Sequence, residues 1–171
     1  EIGDSALKEC ISLKEIIIPK SVVKIGENVF ENCESLQKVT FLSSASIGNN
    51  CFKGCSSLKK IEIPSSIVSI GNNAFDSCLS LAEFTIPSSL KEIKENAFNK
   101  CSKLKKIEIP SSVIEIENNV FCDCSSLEVI TFSPSCSLIY FGDSLFSGCS
   151  SLKEIKIPST ITEIGMNCFE N

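Results

Sequence analysis

Apolar and polar positions alternate along this 171-residue chain in a phrase that returns every 22 to 25 residues. Each phrase opens with a leucine and continues with two apolar residues that flank a third position, usually polar, as in Leu58, Ile61 and Ile63. Alternation with a period of two, rich in β-branched residues, is typical of a short strand with one buried face. The pattern therefore predicts one short strand in every phrase.

The second half of each phrase has its own order. A proline, such as Pro64, ends most strands, because it has no amide to donate to a ladder. Two apolar residues three positions apart follow, as in Ile67 and Ile70, and we expect them in a second extended segment on the opposite wall. An asparagine such as Asn73 then precedes the closing phenylalanine by two positions. Asparagine favours helix N-caps and turns, so one turn of α- or 3₁₀-helix is predicted there.

A cysteine opens each repeat, three positions before the leucine. These cysteines are Cys10, Cys33, Cys55, Cys78, Cys101, Cys124 and Cys149, and they number the repeats from one to seven below. A single repeat buries too little apolar surface to offset the entropy of ordering its own residues, so neighbours must stack and pair in parallel. The chain is therefore predicted to be one repeat solenoid over residues 1–171.

The eleven cysteines raise two possibilities. A disulfide framework would join repeats in pairs, but seven column cysteines would leave one unpaired. A stacked column of buried thiols, acting as small polarisable core residues, is the preferred interpretation. Only Cys122 and Cys136 lie outside the repeat, where either is a candidate exposed thiol.

Composition excludes several classes of function. The formal charge is −5 and all 16 basic residues are lysine. No arginine is therefore present to make bidentate hydrogen bonds to phosphate or guanine. Histidine is absent, which removes the commonest general base and the commonest metal ligand. No apolar run approaches the roughly 18 residues of a membrane span. We therefore expect no catalysis, cofactor, metal, nucleic acid or membrane insertion.

The stretch "LKKIEIPSSVIEIENNVFCDCSSL", residues 104–127, resembles the BspA-like, or treponemal-type, leucine-rich repeat. Departures are few: Leu42 stands where other repeats have proline, and Lys94 and Glu117 replace the glycine. The resemblance implies a right-handed solenoid with a parallel β-sheet on its concave wall. It also implies a non-enzymatic protein-binding role, often in surface adhesins that contact host or matrix proteins.

Two surfaces are candidate contact sites for a protein partner. The outward positions of the strands carry mixed charges, which serve either cross-strand pairing or a partner. Repeat six is two residues longer than its neighbours and holds the only tyrosine, so we expect it to form a protruding edge. The candidate residues are Pro134, Cys136, Ile139, Tyr140, Val129, Thr131, Lys106, Glu108, Lys60 and Glu62.

The leading functional prediction is a binding segment of a surface or secreted protein. An intracellular scaffold or regulator and a purely structural spacer remain alternatives, because unpaired cysteines are easier to keep in a reducing compartment. Neither end shows an evident polar cap, so we expect a longer array in the parent protein, and end-to-end self-association of this chain.

Overall fold

The computed structural model describes residues 1–170 as a parallel β-solenoid of about seven turns. Over these residues the strands are β1 (Glu15–Ile18), β2 (Lys38–Phe41), β3 (Ser69–Ile70), β4 (Glu92–Ile93), β5 (Lys106–Ile109), β6 (Glu115–Ile116), β7 (Val129–Phe132), β8 (Tyr140–Phe141) and β9 (Glu163–Ile164). The solenoid and both of its extended segments per repeat are thus as the periodicity predicted.

The strands lie on two walls. The strand wall holds β1, β2, β5 and β7, together with the corresponding segments of the other repeats, and its pairs are parallel and in register, as with Ile16 opposite Val39. The second wall holds β3, β4, β6, β8 and β9, which also pair in parallel. The chain closes each repeat through a third, strand-free wall around the phenylalanine, called the turn wall below.

The core consists of columns of identical side chains. Leu58, Leu81 and Leu104 are fully buried at the same position of successive repeats, as the stacking hypothesis requires. Beside them the phenylalanine rings are stacked nearly face to face, with centroids 5.2 Å apart for Phe30 and Phe52 and 5.8 Å apart for Phe121 and Phe146. Each repeat therefore supplies the apolar floor on which the next repeat lies.

The turn wall differs from the prediction of a helical turn. Over residues 1–170 it contains hydrogen-bonded turns and no helix. The residues two before and two after the closing phenylalanine have positive φ in the repeats that close at Phe30 through Phe146, for example 52° at Asn73 and 61° at Ser77 around Phe75. This left-handed backbone interrupts any helical run, and asparagine is enriched there because it tolerates that conformation. The asparagines are therefore turn residues and not helix N-caps, although asparagine is favoured at both kinds of position.

Hydrogen bonds between repeats run continuously through the turn wall. In repeat three, the amides of Asn73, Phe75 and Ser77 donate to carbonyl oxygens of the next repeat at 2.9, 2.8 and 2.8 Å. The same three bonds recur at equivalent positions from Asn28 to Gly148. Three columns of peptide groups thus cross this wall, each accepting from the preceding repeat and donating to the next.

The cysteine column adds a bond that crosses repeats. The thiol of Cys101 donates to the carbonyl oxygen of Phe75 at 3.3 Å, and Cys124 donates to Phe98 at 3.2 Å. Equivalent bonds are made by Cys33, Cys55, Cys78 and Cys149. All eleven cysteines are free thiols. The stacked column is confirmed, and its thiols also bond to the adjacent turn wall, since Cys101, which opens repeat five, reaches Phe75, which closes repeat three.

Repeat length varies in one corner only. The inward-facing residue of the second wall, such as Ile70 or Phe141, is always followed 16 positions later by the last inward-facing residue of the next segment on the strand wall, here Ile86 or Ile157. The connection that leads back from the strand wall to the second wall spans six to nine residues. The short repeat two and the long repeat six both differ there.

The ladder of the strand wall is interrupted. Isolated parallel bridges join Thr40 to Glu62 and Lys60 to Glu83, but within residues 1–170 no pairing links the strand segment of repeat four to β5, or β7 to the strand segment of repeat seven. The first interruption coincides with Phe84, the one aromatic residue at an inner position that is isoleucine or valine in the other repeats. Its ring lies 5.2 Å from Phe75 and 4.7 Å from Phe98, edge to face. The larger side chain therefore lies in a repeat whose strand segment is unpaired on one side.

Candidate functional site

The predicted strand-wall residues share one solvated face. Lys60 and Glu62 are exposed, and the Lys60 Nζ lies 3.5 Å from Glu62 and 3.8 Å from Glu83 carboxylate oxygens. Lys106 and Glu108 of β5 lie in register beside Val129 and Thr131 of β7, and all four are exposed. Strand alternation places these side chains outward because their neighbours fill the core. Their place on an accessible wall is as predicted, and their role in binding stays a prediction.

A groove opens where the ladder is interrupted. It has a volume of about 780 Å³ and is bordered by charged side chains of both signs, Glu83, Lys105, Lys106 and Glu108. Phe84, Ile86 and Pro110 also line it, so the groove combines an apolar base with a charged rim. Such a concave surface with a few convergent polar groups is the usual form of a binding site.

The strand-wall groove was missed by the sequence reasoning, although Lys106 and Glu108, which line it, were among the candidates. The available signal was Phe84, which breaks the isoleucine and valine column at one of the two places where the ladder also breaks; the other place is between β7 and residues 153–157 of repeat seven. Periodicity alone treats all apolar residues as equivalent, so it did not distinguish this repeat from the others.

The long repeat six places its candidate residues in different environments. Pro134 and Ile139 are exposed. Tyr140 is half-buried in β8, and its hydroxyl donates to an Asp143 carboxylate oxygen at 3.3 Å. The tyrosine is thus held by its own repeat, with only part of its ring available to a partner.

Cys136 corrects the prediction of a uniformly protruding edge. Its amide donates to the Ser133 carbonyl oxygen at 2.9 Å, and this turn folds the side chain inward until only 5% is exposed. The two additional residues therefore lengthen the connection while giving the core another apolar thiol. Cys136 is not a surface contact.

Burial makes the thiols poor nucleophiles. Desolvation raises the pKa of the Cys78 and Cys101 thiols well above their ordinary value, and raises the pKa of Cys149 to about 12. Cys122, the other cysteine outside the column, is half-buried, and its pKa is also raised, chiefly by desolvation. Because the thiolate is the reactive form, these cysteines are structural groups.

Residues 1–170 contain neither a metal-binding cluster nor a membrane-spanning helix. No group of three or more cysteine, aspartate or glutamate side chains there is arranged to hold a metal ion. No helix within the same residues has the length and apolar character to cross a bilayer.

The repeat period and the parallel walls agree with the comparison to known families. The model of the BspA type leucine-rich repeat region matches residues 1–46 and 45–171, in six copies. The chain belongs to the BspA-type leucine-rich repeat family. No curated protein matches it.

Solved structures show the same family and fold. A leucine-rich repeat protein from Bacteroides ovatus is 32% identical with a TM-score of 0.71, over 96% of this chain and 49% of that protein. The leucine-rich repeat protein of T. pallidum is 30% identical with a TM-score of 0.79, over 90% of this chain and 71% of that one. This chain thus spans about half of the length of the Bacteroides ovatus protein.

A more distant structure shares the fold alone. The leucine rich cell surface protein of Faecalibacterium prausnitzii is 23% identical with a TM-score of 0.52, over 99% of this chain and 73% of that protein. The leucine-rich repeat fold is typical of protein–protein interaction, and this BspA-type array has that fold.

Proposed function

We propose that this BspA-type array is a non-enzymatic protein-binding segment, and that its partner docks on the strand wall over the groove between repeats four and five. The observation that carries the proposal is the groove itself, about 780 Å³ in volume, at the interruption of the ladder. Repeat arrays commonly bind along an extended wall, because that wall offers independent side chains in regular columns.

The chemistry of the groove favours a protein over a small apolar ligand. Its rim carries Lys105 and Lys106 from one repeat and Glu83 from the other, with Glu108 beside them. A partner surface with charges of both signs would complement this rim, while Phe84 and Ile86, each 7% exposed, leave little apolar area for a ligand to bury. Charges at an interface rim set specificity and association rate more than affinity.

We further propose that the parent protein acts at the cell surface as an adhesin. Membership in the BspA type supports this proposal, and so does the cell surface protein of Faecalibacterium prausnitzii, which has the same fold. Nine of the eleven free thiols are buried, and burial keeps thiols such as Cys78 protonated and inaccessible, so these thiols do not argue against an oxidising environment.

The test uses the 171-residue array and a panel of purified extracellular-matrix proteins, measured by biolayer interferometry. The variant K105E/K106E reverses both lysines of the groove rim. Lys103→Glu is the matched control, because Lys103 is an exposed lysine of the same repeat outside the groove. We expect the double variant to weaken binding at least about tenfold, which corresponds to roughly 1.4 kcal/mol, and the control to change it less than about twofold.

Equal thermal unfolding midpoints for the three proteins would show that the substitutions leave the fold intact. The proposed docking face is wrong if the double variant and the control bind a matrix protein equally well. The adhesin proposal is wrong if no matrix protein binds the wild-type array at all.

A further inference from the structure

The second wall carries an apolar pair that no part of this chain covers. Ile114 and Ile139 occupy equivalent positions on neighbouring repeats, one residue before β6 and β8. Their side chains are 55% and 64% exposed. Isolated apolar residues on a surface are common, whereas neighbours at the same position of consecutive repeats form a continuous patch.

Acidic side chains border this patch. On the second wall of repeats four to seven there are six carboxylates and two lysines: Glu92, Glu95, Glu115, Glu117, Asp143 and Glu163, with Lys91 and Lys94. Glu115 directly follows Ile114 in the chain. Glu163 lies in register with Tyr140, which directly follows Ile139.

One lysine is already fully engaged. The Lys94 Nζ lies 3.0 Å from Glu117, 3.1 Å from Glu92 and 3.7 Å from Glu115 carboxylate oxygens. Three carboxylates share this single cation, and Glu163 is exposed on the far side of the patch. The wall beside Ile114 and Ile139 therefore keeps a surplus of negative charge.

The first three repeats show that the acidic border is local. There the second wall carries Lys20, Lys24 and Glu27 in repeat one and no charged residue over 43–49 and 65–72. Val23 stands at the position equivalent to Ile114 and is 79% exposed, but there Lys20 and Lys24 offset the carboxylates, and Glu1 lies 3.4 Å from the Lys24 Nζ. The same repeat position thus occurs with and without a surplus of carboxylates in one molecule.

We propose that Ile114 and Ile139, with Glu115 and Glu163 beside them, form a second docking site, whose occupant is a basic segment of a partner protein with apolar side chains between its lysines or arginines. Apolar side chains of that segment would cover the two isoleucines, and its cations would meet the surplus carboxylates. An acidic segment would bring like charges together, and an uncharged one would leave the carboxylates uncompensated. This site lies on a different wall from the groove and does not depend on the proposed function.

The probe is a fluorescently labelled synthetic peptide of eight residues that alternate valine and lysine, and binding is followed by fluorescence anisotropy. The variant I114S/I139S removes the apolar pair, and E115Q/E163Q removes two border charges. Val23→Ser is the matched control, since it removes an exposed apolar residue at the same repeat position, where lysines offset the nearby carboxylates.

We expect each double variant to weaken peptide binding by about tenfold and the control by less than about twofold. Raising the salt from about 0.05 to 0.5 M is expected to weaken wild-type binding and to have a smaller effect on E115Q/E163Q, because exposed charges are screened. A peptide with glutamate in place of lysine is expected not to bind.

Three results would overturn the proposal. One is an equal loss of binding in Val23→Ser and I114S/I139S, and another is equal binding of the glutamate peptide. The third is sedimentation showing that wild-type chains associate with one another and that I114S/I139S chains do not, since the patch would then be covered by a second copy. Matching thermal midpoints for all variants confirm that each remains folded.

Discussion

The turn wall and the strand wall of this solenoid solve the stacking of repeats in opposite ways. Three peptide columns and a column of thiol bonds run without a break through the turn wall. The strand wall lacks pairing between repeats four and five and again between repeats six and seven, and its outward residues change from repeat to repeat. The comparison teaches that cohesion between repeats depends on the turn wall, which leaves the strand wall free to vary in sequence and to open a groove.

The largest effect expected from the different roles of the two walls is a loss of stability at alkaline pH. Burial raises the pKa of the buried column thiols, to about 12 at Cys149 and further at Cys78 and Cys101, while the same thiols in the unfolded chain titrate near 9.0. Below that pH both states are protonated, and above it only the unfolded state releases protons. The free energy of unfolding therefore falls as pH rises from about 9, by about 1.4 kcal/mol per pH unit for each such thiol.

Urea unfolding under reducing conditions, repeated from about pH 7 to pH 10.5, measures this slope. The variant C78A/C101A is the control and is expected to show a shallower decline, because two buried ionisable groups are gone. An identical slope in both proteins would mean that the thiol column does not govern the alkaline limit.

A single ring deletion is expected to have the next largest effect. Phe98 is fully buried between Phe75 and Phe121 in the stacked column. Phe98→Ala is expected to lower the free energy of unfolding by about 3–5 kcal/mol, because it leaves a cavity between two repeats. The strand-wall counterpart Glu108→Ala removes an exposed side chain and is expected to change stability by less than about 0.5 kcal/mol. Comparable losses in urea unfolding would contradict the division between walls.

The smallest predicted effect concerns the left-handed turn. Asn96 has a φ of 57°, a conformation in which a Cβ of ordinary residues is crowded. Asn96→Ala is expected to cost about 1–2 kcal/mol, whereas Asn96→Gly keeps the conformation accessible and should cost less. Thermal melting of both variants checks this, and a glycine variant that is no better than alanine would show that the side-chain amide matters more than the backbone.

The sequence predicted the regular features because each is repeated seven times. Leucine, phenylalanine and cysteine columns all follow from a period that repeats through the whole chain, and stacking makes equal positions adjacent. The turn wall was predicted less well, because asparagine is favoured both at helix starts and in left-handed turns. Two left-handed residues around each phenylalanine decide between these outcomes, and no local signal separates them.

The candidate surfaces depended on single residues, and there prediction was weaker. Lys106 and Glu108 could be placed on a solvated wall by alternation alone. The groove beside them is lined by Phe84, and the burial of Cys136 follows from how a longer connection folds back. Both features involve residues that occur once at their positions, so periodicity carries no information about them.

The fixed count of 16 residues around the rest of the coil has a consequence for engineering and for divergence. Since added or lost residues fall in the connection from the strand wall to the second wall, that corner is the natural point for grafting a longer loop. Insertions elsewhere would shift phenylalanine and cysteine out of line with their copies above and below. The array can thus acquire new recognition loops at this one connection of each repeat, while the phenylalanine and cysteine columns stay aligned.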